Sequence, residues 1–184
     1  MKPKCIIGNK LILRNVEVSD AEFILKLRLD SNKNKFLNST SNDLEQQIQY
    51  LKTYEQDNNS VYFIIEDKEH GDIGTIRLYD PQENSFCWGS WILSQSAQNY
   101  AAIESALILY SFALDYLGFK KSHFDVRQEN TKVWNFHERF GAKLINETEI
   151  DRFYEISETS ISESLERYKK FLPQKIHVKN AENS

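Results

Sequence analysis

A strand, a polar loop, a helix and a second strand follow one another without interruption in the middle of this chain. Residues 85–93, S-F-C-W-G-S-W-I-L, form its most aromatic β-prone stretch. Behind the polar loop at 94–99, Ile103, Ala106, Leu107, Tyr110, Leu114 and Leu117 recur at helical spacing. Residues 122–127, S-H-F-D-V-R, then alternate as a strand. A helix crossing over between two strands of one sheet leaves them parallel. The strands upstream at 10–16, 61–66, 73–79 and 85–93 are joined without such a crossover, apart from two early helices. The order β-α-α-β-β-β-α-β-α-β-β predicts an α+β fold, a mixed sheet with helices on both faces.

Local signals set the boundaries. Ser19 with Glu22, and Asn42 with Glu45, have capping-box spacing and predict helices that start there. The first runs to about Asp30, a Ser- and Asn-rich loop fills 31–42, and Leu44, Ile48 and Leu51 mark a face of the second. Turns are expected at 69–72 and at Asp80-Pro81. Asn130 or Thr131 opens a short helix with Val133, Phe136, His137 and Phe140 on one face, and Gly118 and Gly141 sit where helices end. Residues 142–149 and 152–157 read as a closing strand pair, 160–172 as a last helix and 173–184 as a frayed tail. The expected organisation is a domain over 1–157 followed by a C-terminal helix and tail over 158–184.

Charge and cysteine usage narrow the class. Lysine and arginine number 23 against 27 acidic residues, a net charge of −4 that leaves no basic excess for a nucleic-acid partner. Cys5 and Cys87 have no metal-like spacing, so no metal site and no disulfide framework is expected. No apolar run approaches the roughly 20 residues of a membrane span, and no signal core opens the chain. The expectation is a cytoplasmic protein with no membrane partner.

Two stretches can carry chemistry. The helix starting near Tyr100 would present unpaired backbone N–H groups and a positive dipole end, a ready anion site. His137 shares a face with Val133 and Phe140 and should point inward, as a proton donor or acceptor or as a core histidine satisfied by a carbonyl.

Together these stretches resemble the GNAT superfamily of acyl-CoA-dependent N-acetyltransferases, over roughly residues 10–157. The most specific piece is the strand ending V-R-Q-E-N followed by the helix closing F-H-E-R-F-G-A. The opening L-I-L-R-N-V-E-V-S-D-A-E also resembles the family's start. The subgroup it is most similar to includes ribosomal-protein N-terminal, antibiotic-modifying and sugar-nucleotide amine acetyltransferases.

The resemblance implies a mostly antiparallel central sheet and acetyl-CoA as co-substrate. It implies that the strand ending at Ile92 and Leu93 binds the pantetheine arm, that Gln98, Asn99, Tyr100, Ala101 and Ala102 hold the pyrophosphate, and that Asn130 contacts the cofactor. His137 matches a position where a tyrosine often protonates the departing thiolate. The family's loop reads R/Q-x-x-G-x-G/A; the matching run here, A-Q-N-Y-A-A over 97–102, has no glycine. Side chains of Ser94, Ser96, Gln98 and Asn99 then have to supply donors, or the chain is a module of this fold that no longer transfers acyl groups.

The amine acceptor must lose a proton, and strand 85–93 offers no carboxylate. Asp125 is the best available base, sharing a face with His123 and Arg127 by alternation; His70 and Glu83 are weaker candidates, and a structural salt-bridged role is the alternative for Asp125. Arg14, Arg77, Tyr79 and Trp88 are the expected acceptor-binding residues, with Arg28 a further cation for an anionic group. The expected partner is a small-molecule primary amine such as a nucleotide-linked amino sugar, with a peptide N-terminus second. A monomer or a homodimer is expected.

Overall fold

The computed structural model describes residues 2–30 and 43–180 of the 184. Its strands are β1 (Pro3–Ile7), β2 (Leu11–Asn15), β3 (Val61–Asp67), β4 (Gly71–Gln82), β5 (Ser85–Leu93), β6 (Lys121–Arg127), β7 (Lys143–Glu147), β8 (Asp151–Ser157) and β9 (His177–Asn180). Its α-helices are α1 (Ala21–Leu29), α2 (Leu44–Gln56), α3 (Ala101–Ser111), α4 (Thr131–Arg139) and α5 (Glu158–Arg167). The nine strands form one sheet in the order β7-β8-β6-β5-β4-β3-β2-β1-β9. Every pairing is antiparallel except β5 with β6, the crossover that the sequence dictates.

β3 shows why helices cover both faces. Phe63 and Ile65 join the large core beneath α3, while Tyr62 and Ile64 join a second core with Ile24 of α1 and Leu51 and Tyr54 of α2. A strand buried on both sides needs apolar residues at successive positions. α3 is the central helix, buried continuously from Glu104 to Ser111, so it is apolar all round. Gly118 (φ +77°) and Gly141 (φ +94°) take the left-handed conformation just past helix ends, as expected.

The helix starts differ from the capping-box reading. α1 follows a 3-10 turn over Val18–Asp20, and Glu17 N–H donates to Asp20 Oδ2 at 2.8 Å. The capping box thus lies two residues earlier than expected, at Glu17 and Asp20, and the Asp20 carboxylate also accepts from Nη1 and Nη2 of Arg14, each at 2.9 Å. α2 is capped by Asp43, which accepts from the amides of Glu45 and Gln46; Asn42 and the 31–42 loop lie outside the described residues. The turn expected at Asp80-Pro81 is an irregularity within β4, with Asp80 at φ +48°, and the hairpin reverses at Glu83, also at φ +48°.

The termini differ most. The expected frayed tail contains β9, paired with the unexpected β1, and Ile176 is buried ahead of it. Pairing of distant termini leaves no trace in local periodicity, and each strand is too short to show alternation. α5 begins earlier than expected, at Glu158, because the Ser157 side chain accepts from Ser160 N–H. Its Ile161 is fully buried, and Ser164 Oγ donates to Phe140 O at 2.8 Å. Residues 158–180 therefore contribute Ile161 and Ile176 to the main core and β9 to the sheet.

Candidate active site

The parallel pair β5–β6 is registered only at Ser85↔Lys121 and Phe86↔Ser122. Beyond Phe86 the strands diverge, and the β5 backbone edge that faced β6 has no ladder partner among the described residues. On its other side β5 carries an extra residue between Gly89, paired with Arg77, and Ile92, paired with Thr75. Ser90 there has φ +46°, and its carbonyl accepts from Thr75 Oγ1 at 2.7 Å. A non-glycine residue held at positive φ stores roughly 1–3 kcal/mol, and such strain collects at functional sites.

The divergence opens a wedge-shaped cavity of about 250 Å³. Tyr79, Trp88 and Trp91 line it from the β4–β5 side, Asp125 and Arg127 from β6, and Asn130 and His137 from α4 and its start, with Arg28 of α1 at the rim. Trp88 Nε1–H donates to Tyr110 OH at 3.1 Å and Trp91 Nε1–H to Ser105 Oγ at 3.2 Å, so α3 fixes both indoles. Gly89 lacks a side chain because Tyr79 OH lies 3.1 Å from where its Cβ would be.

His137 stands in an aromatic cage, its ring 4.0 Å from Phe124 and 5.0 Å from Trp88. It is 4% exposed, and its Nδ1 has no hydrogen-bond partner among the described residues. Burial pushes its pKa down to about 3, so the imidazole is neutral at physiological pH. The inward direction read from helical spacing is correct; the backbone carbonyl of the core-histidine alternative is not at Nδ1.

Asp125 is exposed at the cavity mouth, and no hydrogen bond or ion pair among the described residues engages it. Its two face neighbours are occupied. His123 Nε2–H donates to Asp80 Oδ2 at 3.0 Å and its Nδ1 meets Ser85 Oγ at 2.6 Å. Arg127 reaches Asp151 at 3.3 Å. Burial raises the pKa of the nearby Tyr79 hydroxyl, with Cys87 and Asp125 adding to the shift, so Tyr79 stays protonated.

The 94–100 loop leads from β5 into α3. Ala101 N–H is tied back to Gln98 O, and the first bond along the helix is Glu104 N–H to Tyr100 O. The intervening amides of Ala102 and Ile103 stand at the open helix end. Gln98 and Asn99 are exposed, whereas Ala101 is fully buried beneath them. The Tyr100 hydroxyl donates to Asp67 Oδ2 at 2.5 Å. Glu104, a buried carboxylate, accepts from the amides of Lys10 and Leu11. Ile92 is buried and Leu93 half-buried at the free end of β5, opposite Thr75 and Gly74.

Two of the four expected acceptor residues, Tyr79 and Trp88, reach the wedge. Arg14 does not: Asp20, Asp72 and Glu66 surround its guanidinium. Arg77 does not either, because its guanidinium binds Tyr50 OH, Ser60 Oγ and Asp57. Their charges are held in ion clusters that strand alternation alone cannot reveal. His70 is bonded to Asp67, and Glu83 sits at the hairpin tip, both away from the cavity. Phe124 and Gly89 went unnoticed in the sequence; the lone glycine inside an aromatic strand was the available signal for the latter.

An unpaired strand edge and an orphaned buried imidazole thus border one cleft, whereas Ile92, Leu93 and the α3 start at 98–102 lie outside its lining. A family model described as the acetyltransferase (GNAT) domain matches residues 10–143. The chain belongs to the GNAT acetyltransferase family. Apo FdhC, a nucleotide-linked sugar GNAT, is 40% identical with a TM-score of 0.82, over 90% of this chain and 96% of that one. A GCN5-related N-acetyltransferase from Brucella melitensis has a TM-score of 0.78 at 15% identity, over 93% of this chain and 86% of that one. Spermidine N-acetyltransferase from Vibrio cholerae, solved with CoA and spermine, has a TM-score of 0.73 at 19% identity, over 83% and 98%. The last two show the fold alone. No curated protein matches the sequence. Like its family, this GNAT chain is an acyl-CoA-dependent N-acyltransferase, and no helix among its described residues is long and apolar enough to cross a membrane.

Proposed function

We propose that this GNAT protein acetylates the primary amine of an amino sugar carried on a nucleotide, with acetyl-CoA as donor. The observation that carries the reading is the 40% identity over nine-tenths of the chain to a nucleotide-linked sugar GNAT. The wedge supports it. Arg28 lines the wedge as a cation for a diphosphate, and the half-buried Trp91 offers an indole edge beside Trp88 for a sugar ring.

Acetyl-CoA supplies a thioester carbonyl as the electrophile. The chain's own groups fit such a donor: the β5 edge for an amide-bearing arm, and the start of α3 at 98–102 for phosphates. Asn130, which lines the wedge at the start of α4, is the residue we assign to the arm. Asp125 takes the proton from the acceptor's ammonium, making it a nucleophile. His137 is neutral, so it acts by a hydrogen bond to the sulfur as charge develops there, and not as a stored imidazolium. Cytoplasmic action follows from the need for acetyl-CoA and for a nucleotide-activated acceptor.

The test is thiol release from acetyl-CoA with a panel of nucleotide-linked amino sugars, polyamines and peptides with free N-termini. Turnover with the sugars and not with the others is expected. Turnover confined to polyamines or peptides would overturn the acceptor class.

A further inference from the structure

Asp67 ends β3 with its side chain only 1% exposed, and acetyl transfer as described makes no use of it. Four donors converge on this carboxylate. The amides of Glu69 and His70 and the His70 Nδ1–H meet Oδ1 at 2.9, 3.2 and 2.9 Å. These three come from the adjoining β3–β4 turn. The fourth, Tyr100 OH on Oδ2 at 2.5 Å, comes from 33 residues away. Holding a local turn does not require a buried charge, since the desolvation of a carboxylate is a cost that a surface turn avoids. The long-range partner is what a turn role leaves unexplained.

Tyr100 is the N-cap residue of α3, and its backbone conformation is the ordinary right-handed one, φ −79° and ψ −20°. It also lies in the run where the family places glycine. Glycine lets backbone approach a phosphate closely through conformational freedom. Here the first turn of α3 is instead pinned from behind at two points. Tyr100 is tied to the end of β3 through Asp67, and Glu104 is tied to the β1–β2 turn through the amides of Lys10 and Leu11. Lys10 Nζ covers the Tyr100 ring at 4.8 Å. Both anchors lie on the β1–β3 side of the sheet, away from the wedge, so they leave the open amides free.

We propose that Asp67 is a positioning residue for acyl-CoA: acting through the Tyr100 hydroxyl, it fixes the glycine-free start of α3 so that its amides meet the phosphates. The proposal rests on the acyl-CoA reading above. The bond persists over the working pH range, because Asp67 is held down to about 2 by its donors and Tyr100 is pushed up to about 12 by Asp67.

The experiment titrates the full chain with coenzyme A and, separately, with pantetheine, which has the arm without the phosphates. Tyr100→Phe removes only the hydroxyl, and Asp67→Asn removes the charge while keeping the shape. Ser164→Ala, remote on α5, is the control for lowered stability. The expected result is a Kd for coenzyme A raised about three- to tenfold in Tyr100→Phe and Asp67→Asn, a part of the roughly ten- to hundredfold that a hydrogen bond to a charged group is worth, since this bond acts on the ligand only through the helix start. Pantetheine binding should be unchanged in both, and Ser164→Ala should bind both probes as the parent does. If Asp67→Asn does not fold, Tyr100→Phe carries the test. Variants that melt earlier yet bind coenzyme A like the parent would overturn the positioning role and leave the acyl-CoA reading intact. Equal weakening toward both probes would also overturn it, since general loosening does not select phosphates. A parent that binds neither probe would overturn the acyl-CoA reading itself, and this proposal with it.

Discussion

His137 is held in the core against its own solvation, and that has consequences at two pH values. Its pKa is about 3 in the folded chain against about 6.5 unfolded. Above pH 6.5 the ring is neutral in both states and burial carries no titration penalty. As pH falls from 6.5 toward 3, the unfolded chain takes up a proton that the folded chain refuses, so stability falls by about 4 kcal/mol in total. Replacing His137 with Phe should therefore flatten the acid loss: denaturant midpoints of parent and variant should converge, or cross, between pH 7 and pH 4. An equal acid loss in both would mean that other groups cause it. At neutral pH the same variant should lose about 100- to 1,000-fold in kcat with an unaltered Kd for coenzyme A, as expected for one hydrogen bond made chiefly in the transition state. Asp125 predicts a different signature. Asp125→Asn should cut the rate by about 100- to 10,000-fold at neutral pH and remove the acidic limb of the pH–rate profile. An unchanged profile would return Asp125 to a structural role. The inward turn of His137 was legible from helical spacing alone. Its lack of a partner was not, because that depends on what β5 and β6 leave open around it.

At the scale of elements, the site is made by the place where β5 leaves β6, and two features hold that place. On one side the His123 ring bridges Asp80 and Ser85, tying β6 to the β4–β5 hairpin beside the last shared pairs. On the other, Gly74 lets β4 approach the end of β5 so closely that a Cβ would meet Ile92 O at 2.3 Å. That contact is with backbone, so Gly74→Ala must displace the strand end. The variant should lose about 1–3 kcal/mol of stability in denaturant titrations and bind pantetheine more weakly; normal binding would show that the β5 edge is not where the arm lies. The sequence made the crossover, the aromatic strand and the order of these elements legible, because each has its own period. It could not show β1 and β9, whose pairing joins the two ends of the described chain, nor the positive φ at Ser90 that bends β5. Arg14 and Arg77 were misplaced for a related reason. Alternation fixes which face of a strand a side chain takes, and the carboxylates of Asp20, Asp72 and Asp57 that capture these arginines come from other elements.

For the molecule as a whole, α1 and α2 cover one face of the sheet, α3 and α5 the other, and the cleft lies where the sheet parts. A ligand bound in that cleft touches β4, β5, β6 and α4 together, so its binding free energy is added to the global unfolding reaction. This separates the transferase from a module of the same fold without acyl transfer, which the missing glycines alone do not. Acetyl-CoA at 100 times its Kd should add about 2.7 kcal/mol. For a domain of this size each kcal/mol raises the melting temperature by about 2–4 °C, which gives a shift of roughly 5–10 °C. The shift should grow with the logarithm of acetyl-CoA concentration, and it should shrink in Tyr100→Phe by the increment that the weaker Kd requires. A melting temperature that stays constant up to millimolar acetyl-CoA would remove the donor from the proposal while leaving the family assignment in place. The family rests on the match over 10–143 and on the order of strands, and neither depends on what the cleft now holds.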